Sequence, residues 1–259
     1  MTLIKFASSI LIASGVQAVH NILDYGAVPE LEDSGTAFTN TYAIEAALTA
    51  ANVLGEADRE VYIPAGYNFT FMPIYAEGLN DMIITVDGTL LASKNYLDYP
   101  HPDGGDCKDL IAFTQINNLK WQGSGVIDGQ GFMWWNREYL QTNIYGRPHL
   151  HTLTNSRNVE YTGIKWMNSP QFHLKQNNCD NLYFHDMEIY VDMWGQISLG
   201  KLFGLDNAYT VTVPTYPLNT DGIDPAASNV LIERVKITNH DDAVAVKPSH
   251  STDDISPCS

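Results

Sequence analysis

The chain has 259 residues, with 14 Lys and Arg against 30 Asp and Glu, for a formal charge of −16. That balance argues against nucleic acid as a partner, because counterion release needs a basic footprint, and equally against an anionic membrane surface. A content of 44% hydrophobic and 17% charged residues describes a folded chain with a large core. No apolar run approaches the roughly 20 residues needed to span a bilayer.

The first residues read as an address rather than as fold. Lys5 gives a short positive start, residues 6–16 are apolar and small, and Val16-Gln17-Ala18 places small residues before a cleavage point. This predicts a signal peptide over residues 1–18, a secreted protein, and a mature domain over 19–259. Secretion implies an oxidising compartment, yet the cysteines number three, Cys107, Cys179 and Cys258, so their pairing stays open. Asn68-Phe69-Thr70 is the only N-x-S/T sequon and makes Asn68 a candidate glycosylation site.

Residues 41–54 read as a helix, with Ile44, Ala47, Leu48 and Ala51 on one face. Strand signals follow. Val61-Tyr62-Ile63 ends at the turn Pro64-Ala65-Gly66, and Asp87-Gly88 separates β runs over 82–86 and 89–92. A repeat then emerges, with Asn158, Asn181 and Asn229 each followed by apolar residues at +1, +3, +6 and +8. Asn118 heads a degenerate copy in which Gly123 holds the +5 slot, as Gly163 does in the next. Successive copies start 40, 23 and 48 residues apart, which suggests one single turn and two intervals with room for two. Short strand pairs that cannot bury an apolar face alone must stack on their own copies. The prediction is an all-β chain forming a parallel β-helix, with the early helix plugging its N-terminal end and the asparagines laddered at the bends. A β-sandwich is the lesser alternative, since it would show hairpin turns every 8–12 residues.

Two acidic clusters lie close together, Asn219-Thr220-Asp221-Gly222-Ile223-Asp224 and His240-Asp241-Asp242. Asp221 and Asp242 are 21 residues apart, about one turn, and alignment sets Ile223 on Val244. The pair is therefore expected about one strand spacing apart, held at a bend, with a water or a cation between the carboxylates. Strict alternation would send Asp241 to the other side. A single Asp-Gly reads most simply as a turn, but three carboxylates in register on adjacent turns favour function. The arrangement suits glycoside hydrolysis with inversion, in which carboxyl groups roughly 6.5–9.5 Å apart serve as acid and base. Asp241 is then the candidate acid, and Asp221 with Asp242 the base pair. Asn219, Asp224, His240, Lys247 and Lys175 are candidate substrate contacts. The five tryptophans Trp121, Trp134, Trp135, Trp166 and Trp194 could stack on sugar rings, although Trp121 and Trp166 occupy apolar repeat slots. His149 and His151 have near-metal spacing without a third ligand, so neither zinc nor any other cofactor is expected.

Six stretches in order resemble glycoside hydrolase family 28, the polygalacturonases, exopolygalacturonases and rhamnogalacturonases. They are Asp24-Tyr25-Gly26-Ala27, the run Val61 through Gly66, Gly123-Ser124-Gly125-Val126-Ile127-Asp128-Gly129-Gln130-Gly131 with Trp134-Trp135, Arg147-Pro148, Asn168-Ser169-Pro170, and the two acidic clusters. The resemblance implies a right-handed parallel β-helix, a monomer acting on pectin or oligogalacturonate, and inverting cleavage of α-1,4-galacturonosidic bonds. It implies Asp241 as proton donor, Asp221 and Asp242 as holders of the water, and Asp224 as a substrate contact. The form Asn-Thr-Asp-Gly-Ile-Asp-Pro is more similar to exo-acting members. The chain departs from the family at His240, where Gly is usual, and at Ala243, where Cys is usual. The family's later Gly-His-Gly and Arg-x-Lys motifs do not occur before Ser259, so the domain is expected to be incomplete at its C-terminus, with an open apolar end. Two competing readings are a Ca²⁺-dependent pectate lyase and a non-catalytic pectin-binding β-helix.

Overall fold

A computed structural model describes residues 19–53, 59–101, 105–193 and 217–248. The proposed signal peptide, Trp194, Cys258 and Leu54 at the end of the predicted helix lie outside the described residues. The strands pair in parallel throughout and wind into three faces. On the first, Ile74, Ile111, His151, Leu174 and Ile223 fall in register on successive turns, and Ile223 bridges on to Val244. On the second, Val61, Ile84, Trp121, Tyr161, Phe184 and Ile232 form the corresponding column. The third stacks Phe69, Leu90, Ile127, Trp166, Ile189 and Ile237. These columns meet inside the coil as one apolar core. No helix among the described residues is long and apolar enough to cross a membrane.

The asparagine repeat has a backbone cause. Asn118, Asn158, Asn181 and Asn229 sit at φ of 58°, 57°, 54° and 54°, the left-handed region that Asn tolerates better than most residues. The expected ladder of equivalent amides forms at one step, with Asn181 Nδ2 donating to Asn158 Oδ1 at 2.7 Å. Asn158 itself reaches Asn117 Oδ1 at 3.0 Å, and Asn229 reaches Asp180 Oδ1 at 2.8 Å. The +5 slot is also left-handed, at Gly123, Gly163, Asp186 and Arg234. Gly163 is further constrained, because a Cβ there would stand 2.2 Å from the carbonyl oxygen of Gly123 one turn below. All three intervals prove to be single turns: Leu119 pairs with Val159, Val159 with Leu182, and Leu182 with Val230. The 40-residue interval holds an unforeseen helix, Phe132–Tyr139, in its excursion. Much of the 48-residue interval lies outside the described residues.

The N-terminal helix runs over Ser34–Ala51, seven residues earlier than its apolar pattern alone places it, because Asp33 caps it through Thr36 N. Ile44 and Leu48 line an apolar space with Val61, Ile63 and Ile74, so the helix plugs the end of the core. Its polar residues also satisfy edge backbone. Asn40 Nδ2 donates to Thr70 O at 2.9 Å, and the Thr41 hydroxyl both donates to Met72 O and accepts from Met72 N. An exposed strand edge is thereby covered. At the other end of the described residues, Leu231 is 52%, Val244 40% and Val246 79% exposed.

Burial corrects the sugar-stacking expectation for the tryptophans. Trp134 is buried against Tyr96 and Tyr99, Trp135 donates from Nε1 to Ser169 O, and Trp121 and Trp166 are core. No described tryptophan is free to stack on a sugar. Cys107 and Cys179 are separate buried thiols, and burial pushes Cys107 up to about 11. Asn68 is exposed, with its amide donating to Glu30 Oε2 at 3.0 Å, while Thr70 of the sequon is buried.

One core position carries a stability prediction. Gln176 is fully buried in register with Leu153 and Pro225, and neither Oε1 nor Nε2 has a hydrogen-bond partner among the described residues. An unsatisfied buried amide costs about 1–3 kcal/mol. Gln176→Met keeps the length and removes that cost, so the thermal midpoint should rise by about 2–4 °C. A lowered midpoint would show that the amide contributes more than its burial costs.

Candidate active site

The site is built from the segments just before the first-face strands. Register places Asp109, His149, Phe172, Asp221 and Asp242 in one column, each residue one turn from the next. The 21-residue offset inferred between Asp221 and Asp242 is thus the actual turn: Gly222 N donates to Asp242 O at 2.9 Å, and Ile223 N to Ala243 O at 3.1 Å. Only glycine fits at 222, because a Cβ would stand 2.5 Å from Ala243 O.

Oxygens of Asp221, Asp241 and Asp242 all lie within 4.8 Å of one another. The expected outward turn of Asp241 is therefore wrong. Residues 239–243 form a bend and not a strand, so side-chain alternation does not apply. Both Asp241 oxygens accept backbone N–H groups, Oδ2 from Asn219 at 3.0 Å and Oδ1 from Asp242 at 2.9 Å. Asn239 fixes the bend by donating to Thr220 O and Asp242 O. The oxygens approach more closely than the 6.5–9.5 Å inferred for acid and base groups, so inversion draws its support from the motif and not from this spacing.

Environment separates the carboxylates. Asp241 and Asp242 are exposed, whereas Asp221 is only 4% and Asp224 only 1% exposed. No hydrogen-bond donor reaches Asp221 Oδ1 among the described residues. Burial first, and then the charge of Asp241, raises the Asp221 pKa. Burial and the neighbouring Asp221 push Asp224 up to about 6, although Lys247 Nζ lies 3.2 Å from its Oδ1. Asp224 is thus beside the cluster but covered, and Lys247, which also lies over the Phe172 ring, reaches it from above.

The remaining candidates divide. Asn219 is exposed at φ 55°, and its Oδ1 accepts from Arg147 Nη2 at 3.0 Å. His240 is exposed at the rim, with its backbone N near the Thr220 hydroxyl. Lys175 is half-buried, in register with Thr152 and Asp224, and its Nζ lies 3.1 Å from His149 Nε2. His151 is far from any metal role: its Nδ1 bonds Ile111 O and its Nε2 bonds Tyr161 Oη inside the core.

Sequence reasoning missed two supports. Arg147 Nη1 donates to Pro170 O and Leu218 O, so one buried guanidinium fastens the Asn219 bend to the turn below. His173 is fully buried and donates from Nδ1 to Asp221 O at 3.0 Å, while its Nε2 accepts from Ser169 N. Burial lowers it to about 4, which keeps it neutral. Nothing local in the sequence marks either role, since the bonds that tie one turn to another span 23 to 72 residues.

Asp224 gives the fold a pH dependence. Its pKa rises from 3.8 to about 6 on folding, so the folded state holds the extra proton across that window. Its contribution to stability is then full below about pH 4 and is lost as pH rises through about 6. A shift of this size corresponds to on the order of 2–3 kcal/mol. Burial lowers His149, His151 and His173 to about 4, and these groups give the opposite trend over the same window, so the test is the difference between the two proteins: in urea unfolding, the stability of Asp224→Asn relative to the unmutated protein should increase from pH 4 to 7.5. An unchanged profile would place the titration elsewhere.

The described chain is a parallel β-helix with a carboxylate site at the strand starts of its last two turns. The model of the glycosyl hydrolases family 28 matches residues 55–257, and the chain belongs to that family. It is 28% identical over 236 residues to a polygalacturonase of Chamaecyparis obtusa, covering 88% of this chain and 40% of that protein. It is 30% identical over 240 residues to a polygalacturonase of Juniperus ashei, covering 89% and 41%. The chain therefore spans about two fifths of these relatives' length. Among solved structures it matches an exopolygalacturonase from Thermotoga maritima with a TM-score of 0.64 at 21% identity, covering 90% of this chain and 55% of that one. A polygalacturonase from Erwinia carotovora matches with a TM-score of 0.66 at 22% identity, covering 90% and 58%. At such identity these two structures speak to the fold alone, a right-handed parallel β-helix.

Proposed function

We propose that the protein is a secreted glycoside hydrolase that cleaves α-1,4-galacturonosidic bonds of pectin with inversion, acting from chain ends. The observation that carries the hydrolase reading is the convergence of Asp221, Asp241 and Asp242, oxygen to oxygen within 4.8 Å, on one edge of the coil, while inversion rests on the motif resemblance. In the mechanism Asp241 gives its proton to the leaving oxygen. Asp221 and Asp242 hold and activate the water that attacks from the other face of the sugar. His173 and Arg147 position the two bends that carry these groups. Secretion is supported by the pattern of residues 1–18, and exo action by the Asn219–Pro225 motif form.

The test is release of reducing ends from polygalacturonate by the full-length protein. Hydrolysis predicts products without ultraviolet absorbance and a rate unaffected by chelator. Unsaturated, absorbing products that vanish with chelator would instead assign the acidic cluster to calcium and the reaction to β-elimination. Binding of pectin without any release would leave a non-catalytic β-helix.

A further inference from the structure

We infer that Lys175 is a specificity-determining residue of the cleft, recognising the carboxylate of a uronic acid unit bound below the acidic cluster. The inference rests on the reading of the site as one for an anionic polysaccharide. The column before the first-face strands carries Asp242 and Asp221, then Phe172, then His149, over successive turns. Turns are spaced by about 4.8 Å. The column therefore continues past the carboxylates on to a half-buried aromatic ring, and Phe172 stacks on His149 with ring centroids 4.8 Å apart. Lys175 rises from the strand beside this platform, and its ammonium lies 3.1 Å from His149 Nε2.

What singles out Lys175 is its partner. In a chain of net charge −16, the other described lysines near acidic groups pair with them, as Lys247 does with Asp224 and Lys120 with Glu160. No carboxylate lies within ion-pair distance of Lys175 among the described residues, and its one polar contact is a buried imidazole. His149 Nε2 accepts from the ammonium with the ring proton on Nδ1, where the Phe172 N–H stands 3.3 Å away, and the contact orients Lys175 without neutralising it. A half-buried cation that has Asp224 as its in-register neighbour but no carboxylate at ion-pair distance is suited to a sugar that carries a carboxylate, and it offsets the repulsion that this protein's charge imposes on such a ligand.

The experiment measures trigalacturonate binding by calorimetry to the full-length protein made inactive by Asp241→Asn, with and without Lys175→Met. The expected result is an about tenfold weaker Kd with Lys175→Met, recovery with Lys175→Arg, and less than about a twofold change for the fully methyl-esterified trisaccharide. Equal weakening for both ligands would make Lys175 structural. Unchanged or undetectable trigalacturonate binding by both proteins would also overturn the inference. Reducing-end release by the unmutated protein is read separately, so a protein that binds through Lys175 but does not hydrolyse sinks the hydrolase reading alone.

Discussion

Asp241→Asn in the full-length protein should lower turnover of polygalacturonate by about 10²–10⁴-fold while leaving substrate affinity nearly intact. The amide keeps the shape of the side chain, and its oxygen can still accept one of the two backbone N–H bonds from Asn219 and Asp242. What disappears is the proton for the leaving oxygen. A substrate whose leaving group departs without protonation, such as an aryl galacturonide, should therefore be hydrolysed by this variant at close to the normal rate. The comparison matters because burial raises the pKa of Asp221, which makes Asp221 the other carboxyl able to hold a proton. If the activated substrate rescues Asp221→Asn and not Asp241→Asn, the two residues exchange roles. Unchanged turnover in Asp241→Asn would remove it from the mechanism.

Asp221→Asn and Asp242→Asn should each be severe, on the order of 10²-fold or more, and the double variant little worse than the poorer single. The reason is geometric. Backbone bonds from Gly222 and Ile223 to Asp242 and Ala243 lock the two turns together, the register that the proposed shared water requires. Losing either arm loses the water's orientation. Stability should move the other way, since Asp221 is a buried carboxylate with one oxygen unpartnered, and neutralising it removes an unfavourable charge. Reduced activity with undiminished stability separates a catalytic role from a structural one. Additive losses in the double variant would contradict the shared water.

Much of this was legible in the residues. Asparagine at a fixed place in each copy marks a left-handed bend, and the offset from Asp221 to Asp242 gave the true register because that turn carries no insertion. The interval headed by Asn118 was misread because its length comes from an excursion between strands that carries the helix Phe132–Tyr139, and that headed by Asn181 proves a single turn because Leu182 pairs directly with Val230. Strand alternation misdirected Asp241, since it holds only where the chain is extended. Trp134 and Trp135 read as candidate sugar platforms until the excursion folded them under Tyr96, Tyr99 and Ser169. A second amide column, Gln115, Asn155 and Asn178, also at left-handed φ, escaped because its members head no apolar pattern. Arg147 and His173 illustrate the general limit: a residue that acts through another turn of a solenoid has no periodic signature of its own.

The central claim is that the carboxylates gathered by the last two turns carry an inverting hydrolysis. It is tested most directly by following the anomeric protons of the first product released from polygalacturonate by the full-length protein. Inversion of an α-linkage predicts that the β-anomer appears first and then mutarotates. Initial release of the α-anomer would contradict inversion, and an unsaturated product would contradict hydrolysis.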